Sequence, residues 1–173
     1  VRVSDPGNSY IWIKQGYDDG TKALEIALVS DDNRLEKPRS FFMCRMADIV
    51  KEYAWQNSGE KRVNLLTESW ICSVNAAQLI KGIDFLTAVL CYVNAGDTLS
   101  EIFMQTGKEK EKAIQMYKRF TNIYESIMDS SRKGLSPSEV KILRRKNLYL
   151  QVREKIEHLN RIQFYPTNTQ AHH

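Results

Sequence analysis

The apolar positions change their period along the chain. In "SYIWIKQGYDDGTKALEIALV", residues 9–29, Ile11 and Ile13 alternate with Tyr10, Trp12 and Lys14, and Leu24, Ile26 and Leu28 alternate with Glu25 and Ala27. Alternation of this kind turns one face of a strand toward a core. Asp19-Gly20 between the two runs favours the positive φ of a tight turn, so the pattern predicts an N-terminal β-hairpin. Ala, Leu and Glu are also good helix formers, so the second run suits a helix as well. "VSDDNRLEKPRS", residues 29–40, reads as a polar loop.

From Ser40 onward the period becomes helical. Ser40 suits the cap of a helix carrying Phe42, Met46, Ile49 and Tyr53 on one face, and "QNSGEK" ends it. A second helical region spans about 67–95, with Gly82 as a dividing point. Its later part is apolar nearly all round, which marks a central buried helix. "AGD", residues 95–97, is expected to stop it, and Thr98 with Glu101 to make the capping box of a short helix. Residues 109–131 give the clearest helical stripe: Ala113, Met116, Tyr117, Phe120, Ile123, Tyr124, Ile127 and Met128. The last helix opens at "SPSE" with Ser136 as cap, Pro137 in the first turn and Glu139 reaching back, and runs to about Ile162. The expected fold is mainly α: an antiparallel array of about five helices, in reach of a tetratricopeptide-like stack, with the hairpin in front. The corresponding division is 1–39 hairpin and loop, 40–164 helical domain and 165–173 flexible tail.

Charge sharpens this picture. The net charge of +4 is mild, but residues 1–106 hold 11 Lys and Arg against 14 Asp and Glu, while residues 107–173 hold 14 against 7. The balance therefore moves from −3 to +7, which suits a polyanionic partner, RNA, DNA or an anionic membrane face. A solvated basic surface with no partner gives the same totals. Helical geometry separates the C-terminal cations. At 100° per residue, Ile142, Leu148, Tyr149, Val152, Ile156 and Leu159 form one apolar stripe of roughly 120°. Arg144 and Lys155 flank one edge and Lys146 and Arg153 the other, where their stems can cover apolar surface. Lys141 and Arg145 instead project within the stripe's own angle. With Arg132 and Lys133 just upstream, and Arg144 beside them, they make the candidate phosphate patch: Arg132, Lys133, Lys141, Arg144 and Arg145. The alternating "KEKEK" run is a solvated face.

Recognisable catalytic chemistry is absent. "SGEKR" lacks the spacing of a phosphate loop, no His pair shares a helical turn, and no local motif joins Ser, His and an acid. Cys44, Cys91 and Cys72 are odd in number and widely spaced, which fits buried thiols in a reducing compartment and neither a disulfide framework nor a zinc site. No metal or other cofactor is expected. "VRVSDPGNSY" has no secretory apolar core, and the longest apolar run, "FLTAVLCYV" at 85–93, is far short of the roughly 20 residues of a membrane span, so an intracellular location is expected.

"FLTAVLCYVNAGDTL", residues 85–99, resembles a helix-to-turn signature in the C-terminal homology domain of the ALF family of transcription-elongation scaffold proteins. Phe85, Leu86, Ala88, Val89, Tyr92, Gly96, Asp97 and Leu99 carry the likeness, with Met116-Tyr117 and Leu148 to Leu150 in the next two helical segments. It covers about 75–160, and its spacing differs from the family's. The resemblance implies a tetratricopeptide-like scaffold that dimerises and binds nucleic acid. Taken with the charge asymmetry, the expected function is a non-enzymatic interaction and assembly module that binds nucleic acid and associates with itself. Tyr10 and Trp12, on one face of the hairpin, are the candidate self-association residues. A viral matrix or nucleocapsid-associated protein fits the same features, as does an adaptor whose groove takes a partner helix.

Overall fold

The computed structural model describes residues 6–29, 36–130 and 134–163, with side chains placed for 10–26, 38–130 and 134–163. These residues form seven helices: α1 (Pro6–Val29), α2 (Glu36–Trp55), α3 (Gly59–Ile80), α4 (Phe85–Thr106), α5 (Lys110–Ser130), α6 (Pro137–Leu143) and α7 (Lys146–Arg161). Each of the first five packs on its chain neighbour; α6 then sits against α4 and α5, and α7 runs along α5. The mainly helical array is as expected, with seven helices in place of about five. The expected flexible tail at 165–173 lies outside the described residues.

The β-hairpin expectation is wrong. Residues 6–29 are one helix, and no strand occurs among the described residues. The stripe that docks it follows a three-four spacing: Tyr10, Ile13, Tyr17, Gly20 and Leu24. The four apolar side chains pack against the main core. Gly20 is buried, and a Cβ there would lie 2.3 Å from Met46 Sδ. This glycine therefore lets α1 approach α2 and makes no turn. Tyr17 packs at a tilt against Tyr53 with ring centroids 5.0 Å apart and donates its hydroxyl to Glu68 Oε2 at 2.9 Å, which ties α1 to α3 as well.

A second expected turn is also helical. α4 runs unbroken through Ala95-Gly96-Asp97. A Cβ on Gly96 would meet Tyr117 Cδ1 and Cε1 at 2.6 Å, so this glycine marks where α5 presses on α4. Thr98 does not cap a new helix; its hydroxyl donates to the Asn94 carbonyl at 2.9 Å within α4. Glu101 is used elsewhere, accepting from Arg62 on α3 and from Trp55 Nε1 on α2. Ser40, expected as a cap, is buried inside α2.

The real helix ends have physical stops. Asp84 caps α4 by accepting from Thr87 N at 3.1 Å. Gly107, at φ 72°, ends α4 with its N–H on the Phe103 carbonyl. The capping box at Ser136 and Glu139 is present as predicted. The core sits around α4 and α5, where Leu99, Ala113 and Phe120 are fully enclosed and Val89, Tyr117, Ile102 and Phe103 nearly so. The buried positions of α4 span an arc of about 220°, against about 140° for α5, at 100° per residue. α4 is the central helix its sequence suggested.

Candidate polyanion interface

The predicted last helix is interrupted. α6 ends at Leu143, the Arg145 N–H reaches back to the Ile142 carbonyl at 2.9 Å, and α7 restarts at Lys146. This tight turn lets Ile142 enter the core beside α4 and α5, while Val152 and Leu159 enter it from α7. It also removes the conflict at Lys141 and Arg145. An unbroken helix would aim both toward the apolar stripe, whereas the break leaves both exposed.

The other C-terminal cations divide by what they touch. Lys155 pairs with Asp97 at 2.6 Å, on the same carboxylate oxygen that accepts the Tyr117 hydroxyl at 2.5 Å. Burial, with Asp97 beside it, pushes the Tyr117 phenol well above its ordinary range. Arg153 lies over the Tyr149 ring, and Tyr149 donates to Glu125 at 2.6 Å. That bond raises the Tyr149 phenol. Lys112 pairs with Glu109, Arg161 with Glu157, and Lys110 donates to the Ile162 carbonyl. These cations are consumed by the fold. Two expected edge residues, Lys155 and Arg153, belong to this group.

Lys108 and Lys118 are exposed without an ion pair but stand apart in sequence, and Arg119 lies over the Tyr92 ring; Lys141, Arg144, Arg145 and Lys146 are the cations that cluster. All four are exposed, and none is ion-paired with a described residue. They fall within six consecutive positions around one tight turn. The nearest acid in sequence, Glu139, is held in the capping box. α7 has no acidic residue in its first turn and no side-chain cap. Its unsatisfied N–H groups and the positive end of its dipole therefore add to the four side-chain charges. The result is a corner of uncompensated positive potential. Lys146 was read only as an edge residue, because the position of the break has no Gly or Pro to announce it.

Of the five residues expected to hold phosphate, Lys141, Arg144 and Arg145 stand together at this corner. Arg132 and Lys133 lie outside the described residues. Tyr10 and Trp12 do not share a face. Residues two positions apart on a helix point about 200° apart. Tyr10 turns inward, its hydroxyl 3.5 Å from that of Tyr53, while Trp12 is 72% exposed. Ile11 and Ile26 are also exposed on α1.

Among the described residues no group of three or more His, Cys, Asp or Glu could hold a metal, and no helix is long and apolar enough to cross a membrane. Compared with protein-family models, curated proteins and solved structures, the chain has no match in any of the three.

Proposed function

We propose that this chain is a non-enzymatic assembly module that binds nucleic acid at the corner between α6 and α7. The observation that carries the proposal is the exposed set Lys141, Arg144, Arg145 and Lys146, left unpaired while neighbouring cations are neutralised internally. A phosphate backbone neutralises such a set and releases condensed counterions, which makes the affinity salt-dependent. The resemblance to the ALF C-terminal homology domain points the same way. Its residues fall on α4, α5 and α7, helices of one packed series, although Gly96 sits inside α4 and at no turn. A tetratricopeptide-like scaffold is part of this proposal.

The test is titration of a labelled single-stranded RNA with the full chain across a salt series. Changing all four cations to Glu should remove binding at low salt. Restoring them one at a time should return about 0.7 to the log–log salt slope for each phosphate contact regained. A wild-type chain that ignores RNA at low salt, or a fourfold variant that binds as before, overturns the proposal.

Self-association is the second part of the proposal, and α1 favours it. Trp12, Ala23 and Ile26 line up within about 60° on its outer side. Gly16 lies in the same line, with nothing within 4 Å of where its Cβ would be. A second copy of α1 could pack closely there. Light scattering is expected to show a dimer for the native chain and a monomer for Trp12→Asp. A native chain that stays monomeric at high concentration removes this part alone.

A further inference from the structure

Three cysteines that look equivalent in sequence are not equivalent in the fold. Cys44 on α2 and Cys91 on α4 place their sulfurs 3.5 Å apart. They meet because α3, which runs between these helices in sequence, presents Ala76 and Ala77, both fully buried, against Met43 and Cys91. Cys91 is 8% exposed, whereas Cys44 is only partly buried. Cys72, on α3, has no thiol partner.

We infer that Cys44 and Cys91 form a thiol-oxidation site whose substrate is a hydroperoxide, with Cys44 as the reacting thiol and Cys91 as the resolving one. Cys44 is the less buried residue of the pair. An S–H from Cys91 stabilises its thiolate and draws its pKa down, although burial and Asp48 oppose this. The same contact, with burial, pushes Cys91 far up, so Cys91 keeps its proton until its partner has reacted. Burial raises the unpaired Cys72 to about 11, which leaves it mostly protonated at neutral pH.

The chemistry balances with hydrogen peroxide as oxidant. The Cys44 thiolate attacks one peroxide oxygen, the O–O bond breaks, and the departing hydroxide takes a proton to become water. Cys44 is then a sulfenic acid. Cys91 loses its proton and attacks the Cys44 sulfur; the S–O bond breaks, an S–S bond forms, and a second water leaves. The two thiols lose two hydrogens, and one peroxide is reduced to two waters. From 3.5 Å the sulfurs must close by about 1.5 Å to reach disulfide length, a small movement for two side chains already in contact. The bond would tie α2 directly to α4.

The experiment treats the full chain with a modest molar excess of hydrogen peroxide, blocks remaining thiols and maps the peptides. The expected product is an intramolecular Cys44–Cys91 disulfide, with Cys72 still free and reacting about tenfold more slowly or less. In Cys91→Ser the reaction should stop at the Cys44 sulfenic acid, captured by a dimedone probe. Cys91→Ala serves the same purpose if serine at that buried position prevents cooperative melting. Dithiothreitol should restore the native mass. Oxidation of Cys72 at the rate of Cys44, disulfides only between separate copies, or no product on the wild-type chain would each overturn the inference.

Discussion

α1 and α5 are helices of similar length, 24 and 21 residues, in very different surroundings. α5 is enclosed by α4, α6 and α7; α1 rests mainly on α2. On α5 the buried positions Ala113, Met116, Tyr117, Phe120, Tyr124 and Ile127 repeat at helical spacing, and Thr121 is the one polar residue buried with them. On α1 the docking stripe is narrow, contains a glycine and two tyrosines, and coexists with exposed Ile11, Trp12 and Ile26. Enclosure on several sides forces a clean amphipathic pattern. Contact on one side leaves the remaining apolar residues free to suggest another period.

The strongest way to break this comparison is to empty both packing seams. Phe120→Ala on α5 should cost about 3–5 kcal/mol, and Ile13→Ala, half-buried on α1, about 1–2. Urea melts giving equal losses would show that α1 is as enclosed as α5. Next in size are the glycine crossings. Gly96→Ala pushes a methyl group into a nearly buried ring, costing about 1–3 kcal/mol from overpacking against about 1 gained in helix propensity, for a net loss of up to about 2. A stabilised Gly96→Ala would mean that Tyr117 has room to move.

Tyr17→Phe sharpens the α1 side of the comparison. Losing the hydroxyl bond to Glu68 should cost about 0.5–1 kcal/mol. Burial and that bond raise the Tyr17 phenol to about 12, above its ordinary value of 10. The protonated form is thus favoured in the fold. Its contribution is fully present below pH 10 and is lost as pH rises toward about 12. Native and Tyr17→Phe chains should therefore converge in stability across that window; parallel curves would place the alkaline loss elsewhere. Gly20→Ala should have the smallest effect, within about 0.5 kcal/mol of neutral, because the flexible Met46 thioether can rotate away. A large loss in thermal melting would mean that Met46 is as fixed as Tyr117.

How much was legible follows from the same physics. The α5 stripe apart from Met128, which is 51% exposed, the capping box at Ser136, the division near Gly82 and the enclosed character of α4 could all be read, because each is a local pattern. Gly20 and Gly96 were misread as turns. Glycine serves two purposes, positive φ and close approach, and only the facing residue decides between them; here Met46 and Tyr117 do so from distant positions. Three of the five expected phosphate-binding residues meet at one described corner, since Lys141, Arg144 and Arg145 lie within five consecutive positions. The pairing of Lys155 with Asp97 and the meeting of Cys44 with Cys91 are long-range contacts with no local signature.

The wide buried arc of α4 has a consequence for synthesis. A ribosome makes α4 before α5, α6 and α7, which together cover much of it. The 55 residues from Thr106 to Arg161 take roughly 3–11 seconds to add at cellular translation rates. During that interval the nascent chain carries a helix greasy on more than half its circumference, with only the earlier helices to shield it. A slow codon stretch or pause in the region encoding α5 would lengthen this exposure and favour aggregation.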